Sequence, residues 1–117
     1  MVNIFIIHGT GGHPEENWFG WLRRELEPLG CNVIIPQFPT PANQTPETWF
    51  KVFDAYWKHV TPESILVGHS LGGAFALRIL EKSTLPINAS FFVAAPIGVL
   101  PIKYYDGDKP FIGHPFN

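Results

Sequence analysis

The sequence is organised around one segment, ILVGHSLGGAFALRIL, which runs from Ile65 to Leu80. Its beginning, Ile65 to Val67, predicts a buried strand, and its end, Ala74 to Leu80, predicts a largely apolar helix. Between them lies a Gly-x-Ser-x-Gly pattern centred on Ser70. A serine presented at the top of a sheet needs a tight, strained strand-to-helix bend with very small residues two positions to either side. The segment therefore predicts a serine nucleophile at Ser70, and the alternative is an ordinary serine N-cap of a helix.

The composition limits the classes of protein that fit. The chain has 117 residues, which is near the common domain size of about 100–150 residues, and 45% are hydrophobic, enough for a core. Its net charge is −2, without a basic stripe that would bind nucleic acid or an anionic membrane. Cys31 is the only cysteine, and the first strand is too short to cross a bilayer. We therefore expect a cytoplasmic protein with no cofactor, metal ion or membrane span.

Strands and helices alternate along most of the chain. We predict strands at Asn3 to Ile7, Asn32 to Ile35, Ile65 to Val67 and Ala89 to Ala94, and helices that begin at Pro14, at Pro46 and after the serine bend. Strands that are apolar on both faces predict an α/β fold with three αβα layers and a mostly parallel sheet. Residues 95–117 are rich in Pro and Gly and show no periodicity. They form either a loop over the site or a segment that awaits a partner, within a single domain of residues 1–117.

Four stretches carry a family resemblance: IIHG at Ile6 to Gly9, NWFGWL at Asn17 to Leu22, Trp49, and VGHSLG at Val67 to Gly72. Together they resemble the α/β-hydrolase superfamily, and within it the small serine hydrolases of the retinoblastoma-binding-protein-9 and YdeN type. The resemblance implies a partial α/β-hydrolase fold and esterase-like activity on small acyl groups. It also implies site roles for three residues, with Ser70 as the nucleophile and the backbone N–H groups of Leu71 and Thr10 as oxyanion donors. Trp18 and His8 lie beside the predicted oxyanion loop, and we expect both at the substrate. The alternatives are a core position for Trp18 and, for His8, a role in shaping that loop by hydrogen bonding.

The same resemblance shows what this sequence lacks. In α/β-hydrolases the triad follows the order serine, acid, histidine, with the last two on loops after later strands. Asp106 and Asp108 follow the fourth strand, but their Gly and Lys neighbours favour a solvated turn. His114 is late enough to act as the base, yet an ordinary loop histidine is the preferred interpretation. We therefore expect the triad Asp and His to be absent from this chain, which resembles the first two-thirds of the enzyme.

Three functions fit these residues. The first is a serine hydrolase of esterase type that acts on a small-molecule acyl ester or amide. The second is a catalytically impaired binding or interaction protein on the same scaffold. The third is a flavodoxin-like ligand-binding domain, which ranks low because His8 to Gly12 is a poor phosphate-cradling pattern.

The fourth predicted strand raises a question of assembly. It carries Phe91, Phe92 and Val93, and without a further parallel strand it exposes an apolar edge. We expect a homodimer through the edge from Ala89 to Ala94. The alternative is that the segment from Tyr104 to Phe116 folds over that edge and shields it.

Overall fold

Four parallel strands form the centre of the protein. The computed structural model describes residues 1–96 and 106–112. Strands β1 (Asn3–Ile7), β2 (Asn32–Ile34), β3 (Ile65–His69) and β4 (Ala89–Val93) lie in the spatial order β2-β1-β3-β4. Each neighbouring pair is parallel, so the carboxyl ends of the four strands meet at one edge of the sheet. The predicted α/β class with a parallel sheet is confirmed.

In the described part of the chain, α-helices connect the strands and cover both faces of the sheet. They are α1 (Phe19–Leu26), α2 (Pro46–Phe53), α3 (Leu71–Lys82) and α4 (Lys109–Ile112), and short 3-10 turns lie at Glu27–Leu29, Trp57–His59 and Asp106–Asp108. The start of α2 follows directly from its sequence. Thr45 and Thr48 form a reciprocal capping box, and Pro46 occupies the first turn, where its missing N–H has no cost.

Each face of the sheet has its own core. On one face, alternate strand residues such as Ile4, Ile6 and Val67 pack against α1. On the other face, Phe5, Ile7 and Leu66 pack against the aromatic and aliphatic side chains of α2, α3 and α4. This alternation follows from the period of two in a strand, which sends successive side chains to opposite faces. The three-layer αβα arrangement is therefore confirmed for the described residues.

Several predicted boundaries are wrong. The first helix begins at Phe19 rather than Pro14, because residues 13–16 form turns and Asn17 has a φ of 50°. The apolar positions Trp49, Phe53, Tyr56 and Val60 predict a second helix that continues to Val60, but it ends at Phe53 and is followed by turns. The second strand ends at Ile34 rather than Ile35. The fourth strand ends at Val93 because Ala94 has a φ of 52°, which extended backbone does not allow.

The β4 edge of the sheet is apolar and open to solvent. Phe91, Phe92 and Val93 are 56%, 38% and 40% exposed. The described part of the C-terminal segment leaves them exposed, and its Phe111 is fully buried against α2 and α3, in ring contact with Trp49 and Phe75. Among the described residues, no helix has the length and apolar character that a bilayer crossing would require.

Candidate active site

Ser70 lies at the bend between β3 and α3, at the carboxyl edge of the sheet. Its backbone has φ 54° and ψ −126°, a conformation that costs an L-residue free energy and persists only where the surroundings enforce it. It occupies the N-cap position of α3, yet its side chain makes no capping hydrogen bond. An ordinary N-cap has extended dihedrals and a bonded side chain, so the alternative interpretation of this serine is wrong. The residue is partly exposed.

Close backbone packing enforces the bend. A Cβ built on Gly68 would lie 2.5 Å from the Gly73 Cα and 2.6 Å from the Gly72 carbonyl oxygen. A Cβ on Gly72 would lie 2.1 Å from the carbonyl oxygen of Ile7, at the end of β1. The obstructing atoms belong to the backbone in every case, so neither glycine can be enlarged without moving a strand or a helix. The predicted need for very small residues on both sides of Ser70 is met.

Residues 8–12, which we call the Gly-rich loop, lie directly against this bend. A Cβ built on Gly9 would be 2.9 Å from the Ser70 Cβ and 3.3 Å from the Leu71 nitrogen. The loop follows β1, whose carboxyl end is next to that of β3 in the sheet. Parallel pairing of β1 with β3 therefore brings the Gly-rich loop, which contains Thr10, beside the Ser70 bend, as the family resemblance implies.

Two backbone donors near Ser70 remain unused. Within residues 1–96 and 106–112, the N–H groups of Thr10 and Leu71 donate to no acceptor. Leu71 is the first residue of α3, where the positive end of the helix dipole lies. Unpaired N–H groups beside a serine hydroxyl are what an oxyanion hole requires. Their role as oxyanion donors stays a prediction.

His8 is fully buried and shapes the Gly-rich loop. Its Nε2 accepts from the Phe38 N–H at 2.9 Å, so the ring proton belongs on Nδ1, which donates to the Gly9 carbonyl at 2.8 Å. Burial lowers the pKa of the imidazole, and the bond to Gly9 opposes that shift only in part. Both nitrogens are therefore engaged by the backbone in a neutral ring. The predicted contact of His8 with substrate stays a prediction, and the ring as placed offers it no exposed surface.

Asp108 lies at the Gly-rich loop. Its Oδ1 accepts from the Thr10 hydroxyl, and from the Gln44 side-chain amide at 3.0 Å. The expectation of a solvated turn is wrong for this side chain, since it is partly buried and bonded across 98 residues of sequence to Thr10. No local sequence pattern indicates a role for Gln44 or this pairing.

His69 and Trp18 pack together on the α1 side of the bend. The His69 ring meets the edges of Trp18 and Phe19 with centroid distances of 5.7 and 5.8 Å. Its Nδ1 is buried and has no hydrogen-bond partner among the described residues. Trp18 also lines an apolar cavity of about 520 Å³ between α1 and the strands β3 and β4, whose lining does not include Ser70. The predicted contact of Trp18 with the acyl group stays a prediction.

His114 and the Asp106 side chain, both weighed as triad members, lie outside the described part of the chain. Within that part, no histidine ring bonds to the Ser70 hydroxyl, and no three His, Cys, Asp or Glu side chains converge as a metal site would need.

Comparison with known proteins decides the family. The sequence profile of the Alpha/beta hydrolase family matches residues 4–116. The chain belongs to this family. Like other α/β-hydrolases it has a parallel sheet with a Gly-x-Ser-x-Gly bend after one strand, and the flavodoxin-like alternative is thereby wrong.

Two hydrolases are similar to this chain in sequence, and one of them also in structure. The chain is 33% identical over 82 residues to the putative hydrolase YdeN of Bacillus subtilis. These aligned residues make up 70% of this chain and 43% of that protein. It is 29% identical over 79 residues to the serine hydrolase RBBP9 of Rattus norvegicus, over 65% of this chain and 42% of that protein. The crystal structure of the YdeN product superposes on all of this chain and 63% of its own, at 27% identity and a TM-score of 0.88. The resemblance predicted from sequence is confirmed, and the matches span less than half of each curated relative.

Proposed function

We propose that this chain carries the nucleophile side of a serine hydrolase of esterase type that acts on small acyl esters or amides. The observation that carries the proposal is the strained, partly exposed Ser70 at the bend, beside Leu71 and the Gly-rich loop with Thr10, whose N–H groups have no acceptor among the described residues. The names of two relatives, a putative hydrolase and a serine hydrolase, support the same chemistry.

The chemistry follows from the bend. The Ser70 oxygen would form a bond to the acyl carbon while its proton passes to a general base, and the alcohol or amine would leave as the tetrahedral intermediate collapses. Negative charge on the former carbonyl oxygen would be stabilised by the Leu71 and Thr10 N–H groups. Water would then release the acid and restore the hydroxyl. The base is not assigned, and triads that lack a member retain only about 10³–10⁴-fold acceleration over water.

A fluorophosphonate probe tests the proposal, because only an activated serine displaces its fluoride. We expect wild type to be labelled at one site, identified by mass spectrometry as Ser70, and Ser70→Ala not to be labelled. Ser83→Ala is the matched control, because Ser83 lies at the opposite end of α3 and should leave labelling unchanged. Equal labelling of wild type and Ser70→Ala, or no labelling of either, would refute the proposal.

A catalytically impaired binding protein is the second candidate. The observation that favours it is that no described histidine ring bonds to the Ser70 hydroxyl. On this alternative, wild type shows no covalent labelling, yet a small acyl compound still binds and shifts the thermal midpoint. Covalent labelling of wild type at Ser70 would exclude it.

A further inference from the structure

The Gly-rich loop is held in place by a directional series of hydrogen bonds that begins next to Thr10. The Gly11 N–H donates to the Thr40 hydroxyl oxygen at 2.6 Å, and the Thr40 hydroxyl donates to Gln44 Oε1. The Gln44 amide nitrogen donates to the Thr10 oxygen at 3.1 Å, and the Thr10 hydroxyl donates to Asp108. Each hydroxyl accepts one hydrogen bond and donates one, so only one direction of the series satisfies every member.

Gln44 is the centre of this series. The residue is only 5% exposed, and its amide could be turned by 180° if its partners were equivalent. They are not equivalent, because Thr40 must donate to it while the Asp108 carboxylate can only accept. Asp108 therefore fixes the orientation of the Gln44 amide, and through it the positions of Thr40 and Thr10.

Asp108 is itself held by the C-terminal segment. The Phe111 ring is fully buried and contacts Trp49 and Phe75. The Arg78 guanidinium, on α3, donates to the carbonyl oxygens of Pro110 and Phe111 at 2.7 and 3.2 Å. The carboxylate is thus anchored to the same helix that begins at the Ser70 bend.

We propose that Asp108 is a positioning residue that, with Gln44, holds the Thr10 N–H in place beside Ser70. The inference rests on the proposed function, because it concerns the oxyanion donor of that site. The Gly11 N–H donates to Thr40, whereas the Thr10 N–H donates to no acceptor among the described residues. Oxyanion donors act only when they are held at the charge they stabilise, and a displacement of about 1 Å can cost about 100-fold in rate.

Two substitutions at Asp108 test whether its accepting oxygen holds the Gly-rich loop in place. Thr10 and Gln44 both donate to Oδ1 of Asp108, so Asp108→Asn keeps the accepting oxygen while Asp108→Ala removes it. We expect Asp108→Ala to lower the second-order rate constant of fluorophosphonate labelling by about 10–100-fold, and Asp108→Asn to restore most of it. Asp54→Ala is the matched control, since it removes an exposed carboxylate that accepts only from Trp57 among the described residues.

A double variant tests whether Asp108 affects the labelling rate through its bond to Thr10 or through a general loss of stability. Thr10→Val also breaks the bond to Asp108, so Thr10→Val/Asp108→Ala should label no more slowly than the slower single variant. Labelling is measured well below each variant's thermal midpoint, so that only folded protein is compared. Labelling of Asp108→Ala at the wild-type rate would overturn the inference and leave the proposed function standing.

Backbone NMR gives a readout that does not depend on the nucleophile. In ¹⁵N-labelled protein, the amides of residues 9–12 should be ordered in wild type and Asp108→Asn, and should show lower heteronuclear NOE values in Asp108→Ala. If wild type is not labelled by the probe but the amides respond as expected, the proposed function fails while the positioning contact stands. Unchanged NOE values in Asp108→Ala would overturn the inference in either case.

Discussion

Replacing Gly72 with alanine tests whether close backbone packing holds the Ser70 bend. The added Cβ would lie 2.1 Å from the Ile7 carbonyl oxygen, 2.6 Å from the His8 carbonyl oxygen and 2.7 Å from the Ile7 carbonyl carbon. Ordinary contacts of a Cβ begin at 3.4 Å, so the first of these distances is about 1.3 Å too short. Rotating a side chain cannot relieve the clash, because all three atoms are backbone. Either the end of β1 or the first turn of α3 has to move.

The expected change in the free energy of unfolding of Gly72→Ala is the difference between two opposing effects. Overpacking a core by a methyl-sized group costs about 1–3 kcal/mol, and we expect the upper end or more where only backbone can yield. Alanine recovers about 0.5–1 kcal/mol over glycine inside a helix. The free energy of unfolding should therefore fall by about 2–3 kcal/mol. At about 4 °C per kcal/mol for a chain of this size, the thermal midpoint should drop by about 8–12 °C.

The assay is thermal and urea unfolding followed by circular dichroism at one protein concentration. Gly20→Ala is the matched control, because Gly20 also lies in a helix and its added Cβ would meet nothing closer than the flexible Arg24 side chain at 3.4 Å. That variant should gain about 0.5–1 kcal/mol from helix propensity. A midpoint for Gly72→Ala within 2 °C of wild type would refute the packing argument, as would equal losses in the two variants.

The buried His8 and the exposed edge of β4 lead to two further predictions. Burial lowers the pKa of His8 from its ordinary value of 6.5, so the unfolded chain binds more protons and the free energy of unfolding should decrease as the pH falls below that value. In the non-titrating His8→Asn variant the dependence between pH 7.5 and 5 should be flatter, and equal slopes in urea titrations would contradict this. The exposed β4 edge should drive self-association, so wild type should sediment as a concentration-dependent dimer and Phe91→Lys as a monomer. A wild type that is monomeric at every concentration would disprove the dimer.

Local sequence patterns were enough for the framework of the fold. The apolar runs predict β1 and β3, and the pair Thr45 and Pro46 predicts the start of α2; the structure confirms all three. The spatial order of the strands, which local patterns did not specify, places the Gly-rich loop beside the Ser70 bend, because neighbouring parallel strands end at the same edge. Two of the misplaced boundaries lie at residues with a positive φ. Asn17 delays the start of α1 and Ala94 ends β4, each by a backbone conformation that pattern and propensity do not specify.

The contacts around the Gly-rich loop could not be predicted for a different reason. Gln44 and Asp108 reach Thr10 from positions 34 and 98 residues away, and nothing in their neighbouring residues indicates the pairing. Gln44 follows a Pro-rich connection, where no periodicity gives the direction of a side chain. The bond of His8 to the Phe38 N–H could not be predicted either, because it depends on the path of that Pro-rich connection. Long-range polar contacts require the tertiary structure itself.

The Ser70 amide N–H donates to the Val93 carbonyl at 2.9 Å, so the ladder between β3 and β4 extends into the bend itself. Because β4 is an edge strand of the sheet that the described residues form, fraying of its last residues needs less free energy than global unfolding. Each such opening would break the bond that holds the amide of residue 70 to β4. The pairing of β4 therefore contributes to the conformational lifetime of the serine, and a ligand or second chain bound to β4 would lengthen that lifetime.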